Sequence, residues 1–174
     1  MTPSTENECR KMLHTGYQLN QPAAVRYPRG HAGGLEPADG TLTTVPIGKG
    51  VLKHSGDTVC VMNFGTLGRY AEAAAKAMNA SYVDMRFVKP LDKTIISEMA
   101  ENHDYIVTVE DNVIAGGAGS AVGEYLATQQ TAVKLMHIGL PDEFIMQGTQ
   151  EEMYAVHGLD EAGIATKIQH FIQQ

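Results

Sequence analysis

Tryptophan is absent from the 174-residue sequence, aromatic residues make up only 6% of it, and two cysteines occur, Cys9 and Cys60. Two thiols so far apart, each in an apolar context, exclude a disulfide scaffold and read as buried thiols of a reducing compartment. Positive charge is also scarce, with 13 Lys+Arg against 20 Asp+Glu and a formal net charge of −7. A chain with so few cations is a poor ligand for nucleic acid or another polyanion, because it has little with which to displace phosphate counterions. No apolar run approaches the roughly 18 residues that a membrane-spanning helix needs. The first ten residues, MTPSTENECR, carry acids and amides where a signal peptide would be basic and then apolar. The seven histidines, His14, His31, His54, His103, His137, His157 and His170, stand singly, and no HExxH, CxxC, GxSxG or Walker sequence occurs. These absences leave no metal site and no nucleophile elbow to argue from. With 43% hydrophobic and 19% charged residues, the chain is expected to fold as a soluble, cytoplasmic domain of ordinary core size.

What is present is an alternation of strand and helix patterns from about Lys49 onward. Val51-Leu52-Lys53 is a short strand, and His54-Ser55-Gly56-Asp57 supplies a turn before the apolar run 58–64. An alanine-rich helix over 70–78 follows, then the strand Ser81–Met85. Asp92 is placed to cap a helix over 93–102, and Tyr105–Val109 is a β-branched strand ending at Glu110. A helix over 120–128, a strand over 133–138, a capping box at Thr149-Gln150-Glu151-Glu152 and a final amphipathic helix capped by Asp160 complete the pattern. Alternating strands and helices require right-handed crossovers and a parallel sheet covered on both faces. The first short strand, joined by a tight turn, must run antiparallel at or near an edge. The expected fold is therefore α/β, a three-layer α/β/α domain over residues 47–174 with a mostly parallel five-stranded sheet and one antiparallel strand. Residues 1–46 stand apart: one helix over 6–13, one strand over 23–27 and a Gly/Pro/Thr-rich stretch cannot enclose a core, and they read as the tail of a larger domain, frayed or docked on its neighbour.

Three groups of residues are candidates for chemistry. Gly116-Gly117-Ala118-Gly119-Ser120 follows a strand and opens a helix, as a phosphate cradle would, but the spacing is not GxGxxG; close packing of loop and helix on the sheet is the favoured reading. Asp84, Arg86, Glu110 and Asp111 stand near the carboxyl ends of adjacent strands, where open α/β sheets bind ligands, yet no nucleophile accompanies them and an ion-pair network accounts for them better. Lys89, before Pro90, reads as an extended, solvated side chain. In Val25-Arg26-Tyr27-Pro28-Arg29-Gly30 two arginines flank an aromatic, Pro28 directs Arg29, and Gly30 permits close backbone approach. Such an arginine suits a phosphate or carboxylate, and on composition alone an anion contact and a surface ion pair remain equally open.

Read together, AVRYPRG (24–30), NFGT (63–66), VDMRFVKPLD (83–92), VEDN (109–112) with GGAGS (116–120), and IGLPD (138–142) with QGTQ (147–150) closely resemble the bacterial 1-deoxy-D-xylulose-5-phosphate synthase family. The resemblance runs the length of the chain but covers only the carboxyl-terminal part of the family: the end of a pyrimidine-binding domain (1–46) and a transketolase-type C-terminal domain (47–174). It implies a homodimeric thiamine-diphosphate and Mg²⁺ transferase that condenses pyruvate with glyceraldehyde 3-phosphate and releases CO₂, giving a precursor of isoprenoids, thiamine and pyridoxal. It implies one substrate-binding residue here, Arg29, matching the arginine that binds the phosphate of glyceraldehyde 3-phosphate. No catalytic, cofactor-binding or metal residue is carried over: the family's Gly-Asp-Gly motif has no match, since Gly56-Asp57 is followed by Thr58, and its activating glutamate and catalytic histidines lie upstream of Met1. This piece is accordingly expected to be inactive alone and to support dimerisation and the active-site domains. Two other readings stand beside it, a stand-alone anion- or nucleotide-binding module and the equivalent domain of a 2-oxo acid dehydrogenase β subunit.

Overall fold

The computed structural model describes residues 1–29 and 41–174. Gly30 and His31, singled out above, lie outside the described residues, as does part of the Gly/Pro/Thr-rich stretch. Five strands, β1 (Val51–His54), β2 (Val59–Phe64), β3 (Ser81–Asp84), β4 (Tyr105–Val113) and β5 (Lys134–Leu140), form one sheet in the order β1-β3-β2-β4-β5. β2, β3, β4 and β5 pair in parallel and β1 runs antiparallel at the edge. The partner of β1 is not its neighbour in sequence. It pairs with β3, Val51 opposite Asp84 and Leu52 opposite Val83, because both sides of β2 are taken by parallel partners. The turn at 55–58 is therefore a crossing rather than a hairpin. It passes so close to Asn79 and Ala80 that a Cβ at Gly56 would stand 2.1 Å from the Asn79 carbonyl oxygen.

Each strand sends alternate side chains to opposite faces, and the two faces carry two cores. Val59, Val61, Val107, Val109 and Ile138 face α2 (Gly68–Ala77), α5 (Gln150–Val156) and α6 (Glu161–Ile172), whose Ala71, Ala74, Tyr154, Ile164 and Ile168 are buried against them. Cys60, Met62, Phe64, Val83 and Ile106 face α3 (Lys93–Asn102) and α4 (Ala118–Ala127), meeting Ile96, Met99, Val122 and Leu126. This is the expected three-layer α/β/α arrangement. The caps account for the helix starts. Asp92 accepts from Ile95 N, Asp160 accepts from Gly163 N, and Thr149 and Glu152 make both bonds of a capping box.

Three local expectations need correction. The first helix, α1 (Glu6–Gln18), runs a turn further than residue 13, since Thr15 Oγ1 accepts from Val45 N and anchors that turn. Residues 23–27 form no strand: Arg26 N donates to Met1 O at 2.9 Å, but no sheet neighbour continues the pairing. β4 runs on past Glu110 to Val113, where it pairs with Leu140. Cys60 is buried, whereas Cys9 is only half-buried on α1.

Candidate functional site

The carboxyl ends of β2 and β4 and the loop that follows β3 border a cleft of about 720 Å³, lined among others by Arg26, Lys89, Lys93, Asp111, Gly117 and Tyr125. Its floor is set by Glu110, which is 3% exposed. One Glu110 oxygen accepts from Ala118 N and the other from Gly119 N, both at 2.8 Å. The free N–H groups that open α4, and the partial positive charge they carry, are thus filled by a carboxylate of the protein itself. Two of the three glycines of the loop serve that closure, and the third, Gly116, takes the positive φ of +70° at its turn. A Cβ on Gly117 would lie 2.4 Å from Glu110 Oε2, and one on Gly119 would lie 2.4 Å from Thr108 Oγ1. Close packing, not an anion cradle, is what this Gly-rich turn achieves.

Asp84, Arg86, Glu110 and Asp111 do not form one cluster. Arg86 adopts φ +60°, a left-handed turn that aims its guanidinium at α1. There Nη2 donates to Glu8 Oε1 at 2.9 Å and Nε stands 2.7 Å from Oε2, an ion pair with little solvent around it. Asp84, buried beside that pair, accepts from Ser4 Oγ and from Arg86 N at 3.2 Å. Burial, with a smaller push from Glu8, raises the Asp84 carboxyl above the ordinary carboxylate range despite the Ser4 hydrogen bond. These contacts, and Thr2 N donating to Arg86 O at 2.8 Å, dock residues 1–18 onto the end of β3.

Asp111 belongs to a second network. Its Oδ2 accepts from Thr66 Oγ1 at 3.0 Å and from Tyr154 OH at 2.9 Å. Burial pushes the Tyr154 hydroxyl up to about 12. Arg26 reaches the same residue, donating to the Asp111 carbonyl oxygen at 2.5 Å with Oδ2 3.9 Å away. Arg29 is exposed, beyond Tyr27 and Pro28, and makes no ion pair with a described residue. Lys89 is exposed, as its position before Pro90 suggests.

Sequence reasoning missed Thr66 and Tyr154 as holders of Asp111. The capping box announces the helix that carries Tyr154, but its partner stands 43 residues away. It also missed His137, whose Nδ1 meets Thr108 Oγ1 at 2.7 Å and whose imidazole is held below its usual range by burial, with Glu110 opposing. Thr108 is fully buried and His137 is half-buried, so the bond between them is closed off on the threonine side. Among the described residues no group of three or more His, Cys, Asp or Glu could hold a metal ion, and no helix is long and apolar enough to cross a membrane.

Residues 48–164 match the family model described as transketolase, C-terminal domain. The chain belongs to this family. Curated relatives of this transketolase-type C-terminal domain are named 1-deoxy-D-xylulose-5-phosphate synthase. That of Pseudoalteromonas atlantica is 53% identical over 174 residues, all of this chain. Those of Pasteurella multocida and Escherichia coli K12 are 56% and 55% identical over 99% of it. The chain spans about 28% of the length of each of these relatives. Among solved structures, a protein titled "Split gene transketolase, inactive beta4 tetramer" superposes with a TM-score of 0.68 at 27% identity, over 73% of this chain and 43% of that one.

Proposed function

We propose that this domain is the carboxyl-terminal part of a 1-deoxy-D-xylulose-5-phosphate synthase, a cytoplasmic homodimer that joins pyruvate to glyceraldehyde 3-phosphate with loss of CO₂. The observation that carries this reading is the identity of 53–56% sustained over the whole chain with proteins of that name. Residues 1–46 are then the end of the pyrimidine-binding domain and residues 47–174 the transketolase-type domain. The cofactor of such an enzyme is thiamine diphosphate with Mg²⁺, which when bound activates the donor carbonyl. The described residues do not fit that group: they offer no metal-ligating cluster, and the α4 N-terminus, the place where a diphosphate would otherwise seat, already holds the Glu110 carboxylate. No step through the cofactor is therefore assigned to this chain. The same occupied helix end weighs against a stand-alone nucleotide- or anion-binding module.

What this chain contributes is support and one substrate contact. Arg29, exposed at the end of a proline-stiffened segment, holds the phosphate of glyceraldehyde 3-phosphate, a dianion for which a guanidinium fork is suited. The test is made in the full-length enzyme. Arg29→Ala is expected to lower kcat/KM for glyceraldehyde 3-phosphate by the worth of a charged hydrogen bond, about 1.5–3 kcal/mol, leaving pyruvate use intact. The 174-residue chain alone, given both substrates, thiamine diphosphate and Mg²⁺, is expected to form no deoxyxylulose phosphate. Unchanged kinetics in the variant, or turnover by the isolated chain, defeats the reading.

A further inference from the structure

The segment that carries the two arginines touches the sheet domain through Arg26, and the point it touches is itself held from two sides. Arg26 Nη2 donates to the Asp111 carbonyl oxygen at 2.5 Å and lies 3.9 Å from Asp111 Oδ2. That carboxylate oxygen is fixed by Thr66, just after β2, and by Tyr154 of α5. Tyr154 OH in turn accepts from Gln150 Nε2 at 2.9 Å. On the other flank the Arg26 backbone N–H is tied to Met1 O, and Val25 packs on the small cluster of Met12, Val45 and Phe87. Between Arg26 and Arg29 stand only Tyr27 and Pro28. The proline ring fixes its own φ and confines the residue before it to extended backbone. Arg29 therefore leaves on a stiff arm of at most about 10 Å, and the direction of that arm follows from where Arg26 is pinned.

We infer that Arg26, anchored on Asp111, is a positioning residue that sets where the Arg29 guanidinium stands, so that the sheet domain tunes affinity for the phosphorylated aldehyde. The inference rests on the reading of Arg29 given above. A bidentate contact with phosphate depends on orientation as well as charge, and small misplacements of a binding group cost affinity steeply. The Arg26 side chain is 54% exposed, and exposed ion pairs add little to folding. Its role is therefore read in substrate use rather than in melting behaviour.

The experiment compares Arg29→Ala, Arg26→Gln and Arg26→Lys in the full-length enzyme, with glyceraldehyde 3-phosphate and, as acceptor without phosphate, D-glyceraldehyde. Arg26→Gln is expected to raise KM for glyceraldehyde 3-phosphate about three- to tenfold, while KM for pyruvate and kcat/KM for D-glyceraldehyde stay within twofold. Arg26→Lys, which keeps the charge and a donor, is expected to recover at least half of the loss on a logarithmic scale. An Arg26→Gln enzyme with unchanged KM for the phosphorylated aldehyde, while Arg29→Ala is impaired, overturns the positioning role and leaves the Arg29 reading standing. Equal losses with both aldehydes overturn it as well, since they mark a general structural defect. If Arg29→Ala matches the parent, both readings fall together. Thermal melting of each variant identifies any misfolded one, and Arg26→Met, of similar length but without charge or donor, then takes the place of Arg26→Gln under the same KM criterion.

Discussion

Asp84 is a carboxylate enclosed at the end of β3, 1% exposed, with a serine hydroxyl and a backbone N–H as its hydrogen-bond partners. The nearby guanidinium of Arg86 is committed to Glu8, so it offsets only part of the cost of taking the Asp84 charge out of water. The carboxyl titrates above its ordinary value for that reason. Because the folded value exceeds the unfolded one, the folded chain holds a proton that the unfolded chain has already lost. Stability contributed by this group is therefore present at low pH and is lost as pH rises from about 3.8 through the raised folded value. Asp84→Asn removes the charge and keeps one acceptor, for Arg86 N, while its N–H₂ donates to Ser4 Oγ, a hydroxyl that can accept as well as donate. The variant is expected to melt above the parent at pH 7, with a gain that shrinks as pH is lowered through the carboxylate range, by about 1.4 kcal/mol for each unit of the folded-state shift. Melting curves of both chains between pH 3.5 and 7 check this, and a difference that does not vary with pH contradicts it.

At the level of elements, the start of α4 shows how a motif can carry the residues of a ligand site and yet be closed. Glu110 supplies the anion that the first N–H groups of the helix require, from the strand that precedes it. Replacing it with glutamine leaves one acceptor for two donors and turns an amide N–H₂ toward one of them. Glu110→Gln is expected to cost about 1–3 kcal/mol in chemical unfolding, the penalty of an unsatisfied buried donor. Faster hydrogen exchange at Ala118 and Gly119 would accompany it. A variant as stable as the parent would mean that water or a shifted loop takes the carboxylate's place. The sequence made α3, α5 and α6 legible because their caps are local: Asp92, the Thr149–Glu152 box and Asp160 each act three residues away. It also favoured close packing for the glycines, which is what Gly117 and Gly119 do. What it could not show are bonds across long intervals. Glu8 and Arg86 are 78 residues apart, Tyr154 and Asp111 are 43, and β1 chooses β3 over its neighbour only because the sheet order leaves β2 no free edge. The strand expected at 23–27 failed for the complementary reason: its local pattern was extended, but among the described residues only Met1 bonds to its backbone, at Ala24 and Arg26, and no strand pairs with it.

For the molecule as a whole, the question is whether residues 1–46 are part of the core or rest upon it. The two large clusters are built entirely from residues 59–168, on the two faces of one sheet. Among the described residues a third and small cluster, Met12 and Val45 on Phe87 with Met1 and Val25 beside it, joins the N-terminal segment to the rest. Around it lie the Glu8–Arg86 ion pair and the Arg26–Asp111 contact, neither of which crosses the sheet. Removing residues 1–46 would expose Phe87, worth roughly 1.5–3 kcal/mol. It would also return Arg86 to water rather than leave it as an unpaired buried charge, so the heavy penalty of breaking a buried pair does not apply. A chain of residues 47–174 is therefore expected to keep its circular dichroism spectrum and a single cooperative melt, at a midpoint lowered by several degrees. Residues 1–46 alone are expected to show no cooperative transition, since the helix and extended segment among their described residues enclose too little apolar surface. Loss of the cooperative melt in the shorter chain would make the N-terminal segment part of one indivisible core. Its survival would make α1 and the arginine segment a docked strap, whose Glu8, Val25 and Arg26 bind the sheet domain without being needed to fold it.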